Sequence, residues 1–217
     1  MIQSSKETGR SMIEMLGVLA IIGVLSVGGI AGYSKAMMQY RINKTVDQIT
    51  QVVGNVRTLF GSQKNYEGLN SPEVVKKAHL LPDEMWNTNS VGDDVMVSAL
   101  GEAFYVAGGV SYDKKTAGDH KAFIVDVFVG SEEACMALAT YDWGSGSSSG
   151  LIFLAVSNNS SGDNDILDGD IYTGCKGGTQ GQTTIACPNG SIIPVPMPVD
   201  KAAEVCKDTS EIFIKFY

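Results

Sequence analysis

No proline precedes Pro72 in this chain of 217 residues, so no missing amide donor interrupts a helix before that point. Histidine is almost missing, with only His79 and His120. No GxSxG, HExxH or P-loop sequence occurs, and two histidines leave little for acid–base chemistry. His79 near a helix end and His120 in a polar turn read as bystanders, and no enzyme is expected. Basic residues are outnumbered 16 to 24, giving a formal charge of −8, which excludes the basic stripe of a nucleic-acid surface. The four cysteines include no CxxC pair, so a zinc set is poorly supported. The acidic run GDNDILDGD carries Asp163, Asp165, Asp168 and Asp170 but misses the spacing of a calcium loop. It reads as a solvated loop. Neither cofactor nor metal is expected.

What is present begins with an apolar run. From Met15 to Gly32 the only polar side chain is Ser26. A segment apolar all round suits burial on every side or a lipid environment, and at about 1.5 Å per residue this one just spans a bilayer. After Tyr33 the pattern changes. Ile42, Val46, Ile49, Val53, Val56 and Phe60 recur at helical spacing among Arg41, Lys44, Asp47, Gln51 and Arg57, an amphipathic continuation whose greasy stripe would pack on a globular domain. Three regions follow: a short polar segment over 1–9, one long helix over 10–62, and a glycine-punctuated α+β region over 63–217.

Within that last region, SPEVVKKAH has a Ser cap and a Pro at the first helical position, so a short helix is expected from Pro72. Strands are expected over Glu102–Ala107 and Ala122–Val129. SEEACMALAT starts with a Ser cap and two acids and reads as a helix carrying Cys135. GSGSSSG, 144–150, reads as a flexible loop, LIFLAVS as a buried strand, and EIFIKFY as a closing strand alternating Ile212, Ile214 and Phe216 against Phe213, Lys215 and Tyr217. Cys135, Cys175, Cys187 and Cys206 all lie here, and an even count beyond a hydrophobic N-terminal segment points to disulfides in an oxidising compartment. Four cysteines allow three pairings.

The unexplained residue is Glu14, a carboxylate at the mouth of the apolar run. An ionised carboxylate in hydrocarbon costs a few kcal/mol at least. A cleaved secretory signal needs a shorter apolar core and a stop, and neither it nor a plain membrane anchor uses an acid there. Lys6 and Arg10 precede the run while Lys35, Arg41 and Lys44 follow it, so basic-residue asymmetry does not orient it.

GRSMIEMLGVLAIIGVL resembles the class III signal of type IV pilins: a glycine, a helix whose fifth residue is glutamate, then an unbroken apolar run. The resemblance implies that prepilin peptidase cuts the inner-membrane precursor after Gly9, that Arg10 becomes an N-methylated first residue, and that Glu14 is an assembly residue. Subunits would then leave the membrane and, with the pilus assembly machinery, bundle their helices into a helical homopolymer exposed on a bacterial surface. The implied fold is α+β: a long N-terminal helix, apolar then amphipathic, packed on an antiparallel-sheet globular head. Members usually begin the mature chain with Phe or Met and carry a proline in the apolar segment. Here Arg10 stands first, and Gly28 and Gly29 lie near the proline's place, where they could allow the same local unwinding. Gly28 and Gly32 also form a small-xxx-small pair for close helix approach. HLLPDEMWN, AFIVDVFVGSEEACMAL and the late Cys206 look like the head of type IVb pilins. That likeness implies a Cys135–Cys206 bridge bounding the region 135–206 and leaves Cys175–Cys187 to close a small loop. The alternatives are a pseudopilin of a type II secretion system, usually with a smaller, disulfide-free head, and an uncleaved, membrane-anchored periplasmic binding protein.

Overall fold

The computed structural model describes residues 8–69, 71–110, 121–144, 150–157, 196–207 and 210–217. Helix α1 runs Thr8–Phe60 without a break, as expected where proline is absent and long aliphatic side chains outnumber helix breakers. The chain divides inside this helix into two compact units, Met1–Tyr40 and Arg41–Tyr217.

In the second unit the remainder of α1 is amphipathic and buries Ile42, Ile49, Val52, Val56 and Phe60. Helix α2 follows at Pro72–Lys77, started by Ser71, whose hydroxyl accepts the Val74 amide, and by Pro72 in the first turn. A 3-10 turn at Asp83–Met85 leads into a hairpin of β1 (Trp86–Thr88) and β2 (Asp94–Met96). Asn89 closes that hairpin by accepting the amides of Val91 and Asp93 on its side-chain oxygen, at 3.0 and 2.9 Å.

Four longer strands build the main sheet: β3 (Phe104–Val110), β4 (Ala122–Val129), β5 (Leu151–Ser157) and β6 (Ser210–Phe216). They are antiparallel, in the order β3-β4-β6-β5. Helix α3 (Glu132–Ala139) lies against β4, β5 and β6, and α4 (Val199–Val205) packs on α3. The described architecture is thus a long N-terminal helix and an antiparallel-sheet head of mixed α and β structure.

Strand alternation sends Phe104, Val106, Phe123, Val125, Val127, Ile212, Ile214 and Phe216 to one face. The end of α1 meets that face through a run of rings: Phe60 to Tyr66 at 5.4 Å, Tyr66 to Phe123 at 4.8 Å and Phe123 to Phe216 at 5.5 Å. The Arg57 guanidinium lies 5.1 Å from the centre of the Phe216 ring and donates to the Tyr217 carbonyl, so α1 also holds the chain's last strand.

Strand β3 starts and ends later than its sequence pattern suggests, running through Gly108 to Val110. Its extension past Ala107 goes with a close approach: the Gly108 amide donates to the Leu69 carbonyl, and a β-carbon there would collide with Tyr66 and Leu69. The closing strand also differs from expectation. Alternation suggested a strand with two distinct faces, yet Ile212 through Phe216 are all buried, Lys215 among them at 5% exposure. β6 is a central strand with neighbours on both sides, and both of its faces are covered.

Candidate functional site

The first unit is the helical segment of α1 before Arg41. Its most hydrophobic 18-residue window has a mean hydropathy of 2.2, and none of that window is buried within the chain. By length and composition it can cross a membrane. Ile13, Leu16, Leu19, Ile22, Leu25 and Ile30 are all more than half exposed. So much contiguous apolar surface marks an interaction face, because a soluble monomer rarely shows a patch beyond a few hundred Å².

Glu14 sits on this surface, exposed, with Met12, Ile13, Met15 and Leu16 around it in sequence, all exposed as well. Gly28, Gly29 and Gly32 are helical, and a β-carbon added at any of them would meet nothing within 4 Å. Packing within the chain therefore does not require glycine at these three positions. Gly9 and Arg10 lie in the first turns of α1, their side chains outside the described set.

In the second unit the arrangement is structural. Cys135 on α3 is bonded to Cys206 at the end of α4, with Cα atoms 5.6 Å apart and a sequence separation of 71. Both cysteines are buried. The loop they close contains β5 and α4. Within it the Trp143 indole donates to the Leu138 carbonyl at 2.9 Å and stacks at a tilt on Tyr141, 4.6 Å between ring centres. Cys175, Cys187, His120, the acidic run 163–170 and residues 145–149 of the glycine–serine loop lie outside the described residues.

A second feature escaped the sequence reading. Gln48 of α1 is 4% exposed, and its amide nitrogen donates to Glu84 Oε1 at 3.0 Å while its oxygen accepts the Ala99 amide at 2.9 Å. Lys44, one turn earlier, donates to the other oxygen of Glu84 at 2.7 Å. These contacts hold the Glu84 carboxyl below the usual range, the Lys44 hydrogen bond first and that of Gln48 second. Two turns beyond Gln48, Asn55 donates to the Leu80 carbonyl at 3.0 Å. Three polar side chains thus fasten α1 to the 3-10 turn itself, through Glu84, and to the backbone at Leu80 and Ala99. The signal for Gln48 was available, since it follows Thr45 by three positions and precedes Val52 by four, both fully buried.

Among the described residues no group of three or more His, Cys, Asp or Glu is placed to hold a metal ion. His79 is exposed and adopts a positive φ of 51° just after α2, where its amide donates to the Lys76 carbonyl. It ends a helix there.

Compared with known proteins, residues 35–209 match the family Bundlin. A crystal structure of a type IV b pilin from Salmonella typhi is similar at 12% identity and a TM-score of 0.44, covering 82% of this chain and 97% of that one. No curated protein sequence matches the chain.

Proposed function

The chain belongs to the Bundlin family, within the type IV pilins, and from that membership we propose that it is the processed, polymerising subunit of a surface pilus. The precursor sits in the inner membrane through the apolar half of α1. Prepilin peptidase removes residues 1–9, cutting after Gly9 and leaving Arg10 as an N-methylated terminus. The pilus assembly machinery then draws subunits into a filament that serves adhesion, aggregation or motility. The subunit's work is mechanical, with no reaction of its own.

The observation that carries this reading is the unburied apolar window of α1 with Glu14, itself exposed, at its head. A membrane and a bundle of like helices are both low-dielectric surroundings, so one apolar surface serves in both. Inside the bundle a lone carboxylate is tolerable only with a partner, and removing one member of a buried ion pair costs about 3–5 kcal/mol. Cleavage supplies the partner, a new α-amine at Arg10. Glu14 of an arriving subunit pairs with the amine of its neighbour, which selects the axial register, while the apolar faces supply attraction without direction. Gly28, Gly29 and Gly32, which no internal packing requires, thin the helix for close approach and ease local unwinding. Cys175 and Cys187 form the second bridge of the head.

The test is Glu14→Ala. Surface filaments should vanish from electron micrographs, while the purified variant unfolds at the temperature of the unaltered subunit. Normal filament yield from that strain would remove the registration role.

A further inference from the structure

One half-buried acid is used by nothing above. Asp126 stands in the middle of β4 between Val125 and Val127, on the sheet face opposite to theirs. The register places Tyr105 of β3 and Phe213 of β6 directly across from it. Glu211 of β6 stands opposite Phe128, one diagonal step along the same face, within reach of a long side chain. The register thus brings the two carboxyl groups within hydrogen-bonding reach of each other. The remaining oxygen, Asp126 Oδ1, is closed to solvent and accepts nothing.

Ionised carboxylates only accept hydrogen bonds, so a bond between two of them needs a proton on one. Asp126, whose Oδ1 is closed to solvent, is the side on which the proton is favoured. Burial, then the bond to Glu211 and its charge, push Asp126 up to about 9. Burial likewise raises Glu211, and accepting the Asp126 proton pulls it partly back. The other titratable group from β3 on this face is Tyr105. From β6 comes Lys215, itself buried, across from Ile124 and on the far side of Phe213 from Glu211.

We propose that Asp126 and Glu211 share one proton across the β4–β6 seam and form a pH-responsive lock on the head. Both acids bind protons more readily in the folded chain than in the unfolded one. Folding therefore takes up a proton, and the stability they contribute is complete below the unfolded carboxyl value of 3.8 and is lost as pH rises toward about 9. The seam matters because β6 pairs with both β4 and β5, so loosening it loosens the sheet on both sides. The lock is closed in mild acid and opens in alkali.

The experiment uses the full chain in detergent micelles. With carbon-labelled aspartate, NMR should give the Asp126 carboxyl a titration midpoint above 6, and a midpoint in the ordinary carboxylate range would overturn the proposal. Melting followed by circular dichroism from pH 5 to 9 should fall by a few degrees per pH unit in the unaltered chain. Asp126→Asn supplies a permanent donor to Glu211, so its profile should be nearly flat and should lie above the unaltered chain at pH 9. A parallel profile overturns the lock. Should Asp126→Asn not fold, Glu211→Gln carries the same test, with the Asp126 midpoint expected to drop. An unmoved midpoint in that variant refutes the sharing.

Discussion

Replacing both bridged cysteines, Cys135→Ala with Cys206→Ala, tests what holds the head together. The bridge closes a loop of 71 residues' separation, for which the chain-entropy account gives about 4 kcal/mol of stabilisation. For a chain of this size about 1 kcal/mol moves the melting temperature by 2–4 °C, so the double variant should melt about 8–16 °C lower. The loss should also be uneven. β5 is an edge strand inside the closed loop, whereas β4 is central and outside it. Amide exchange should therefore quicken in β5 before β4. The assay is melting of the full chain in detergent with and without reductant, followed by exchange mass spectrometry. A fall of less than about 3 °C, or an equal rise of exchange in both strands, would refute the view that this loop is held mainly by its bridge.

Three further outcomes follow from the geometry. Gln48→Ala should cost about 2 kcal/mol in denaturant unfolding, because it strands the Ala99 amide and one oxygen of Glu84 together, and combining it with Glu84→Ala should add less than the sum of the two. His79→Gly should raise stability by about 0.5–1 kcal/mol, since an exposed non-glycine residue holds a positive φ there. The Asp126 and Glu211 pair should make the head less stable as pH rises from 5 to 9, checked by the melting profile already described.

Much of this was legible in the residues for plain physical reasons. An uninterrupted apolar run followed by helical spacing gives α1, and Ser71-Pro72 and Ser131 before two acids give the starts of α2 and α3, where both serines accept the expected amides. Continuous apolar runs give β4 and β5. The β1–β2 hairpin was not legible because three-residue strands carry too little pattern, although Asn89 and Gly92 between them mark the turn. α4 was hidden behind the proline-rich PVPMPVD, where Pro198 caps rather than breaks a helix. The central place of β6 is a matter of topology, which no local pattern encodes, and it is why Lys215 is buried and why Asp126 meets Glu211. At the candidate site the spacing of Glu14 after Gly9 carried the assembly reading, while the pairing of Cys135 with Cys206 came from likeness to pilin heads, since spacing alone left three possibilities.

The account stands or falls on the N-terminus of the assembled subunit. Filaments sheared from cells, dissociated and weighed by intact-mass spectrometry, should yield a chain beginning at Arg10, its mass lower by residues 1–9 and higher by one methyl group. A filament subunit that still carries Met1, or this polypeptide found on cells only as an unassembled full-length chain, would contradict it.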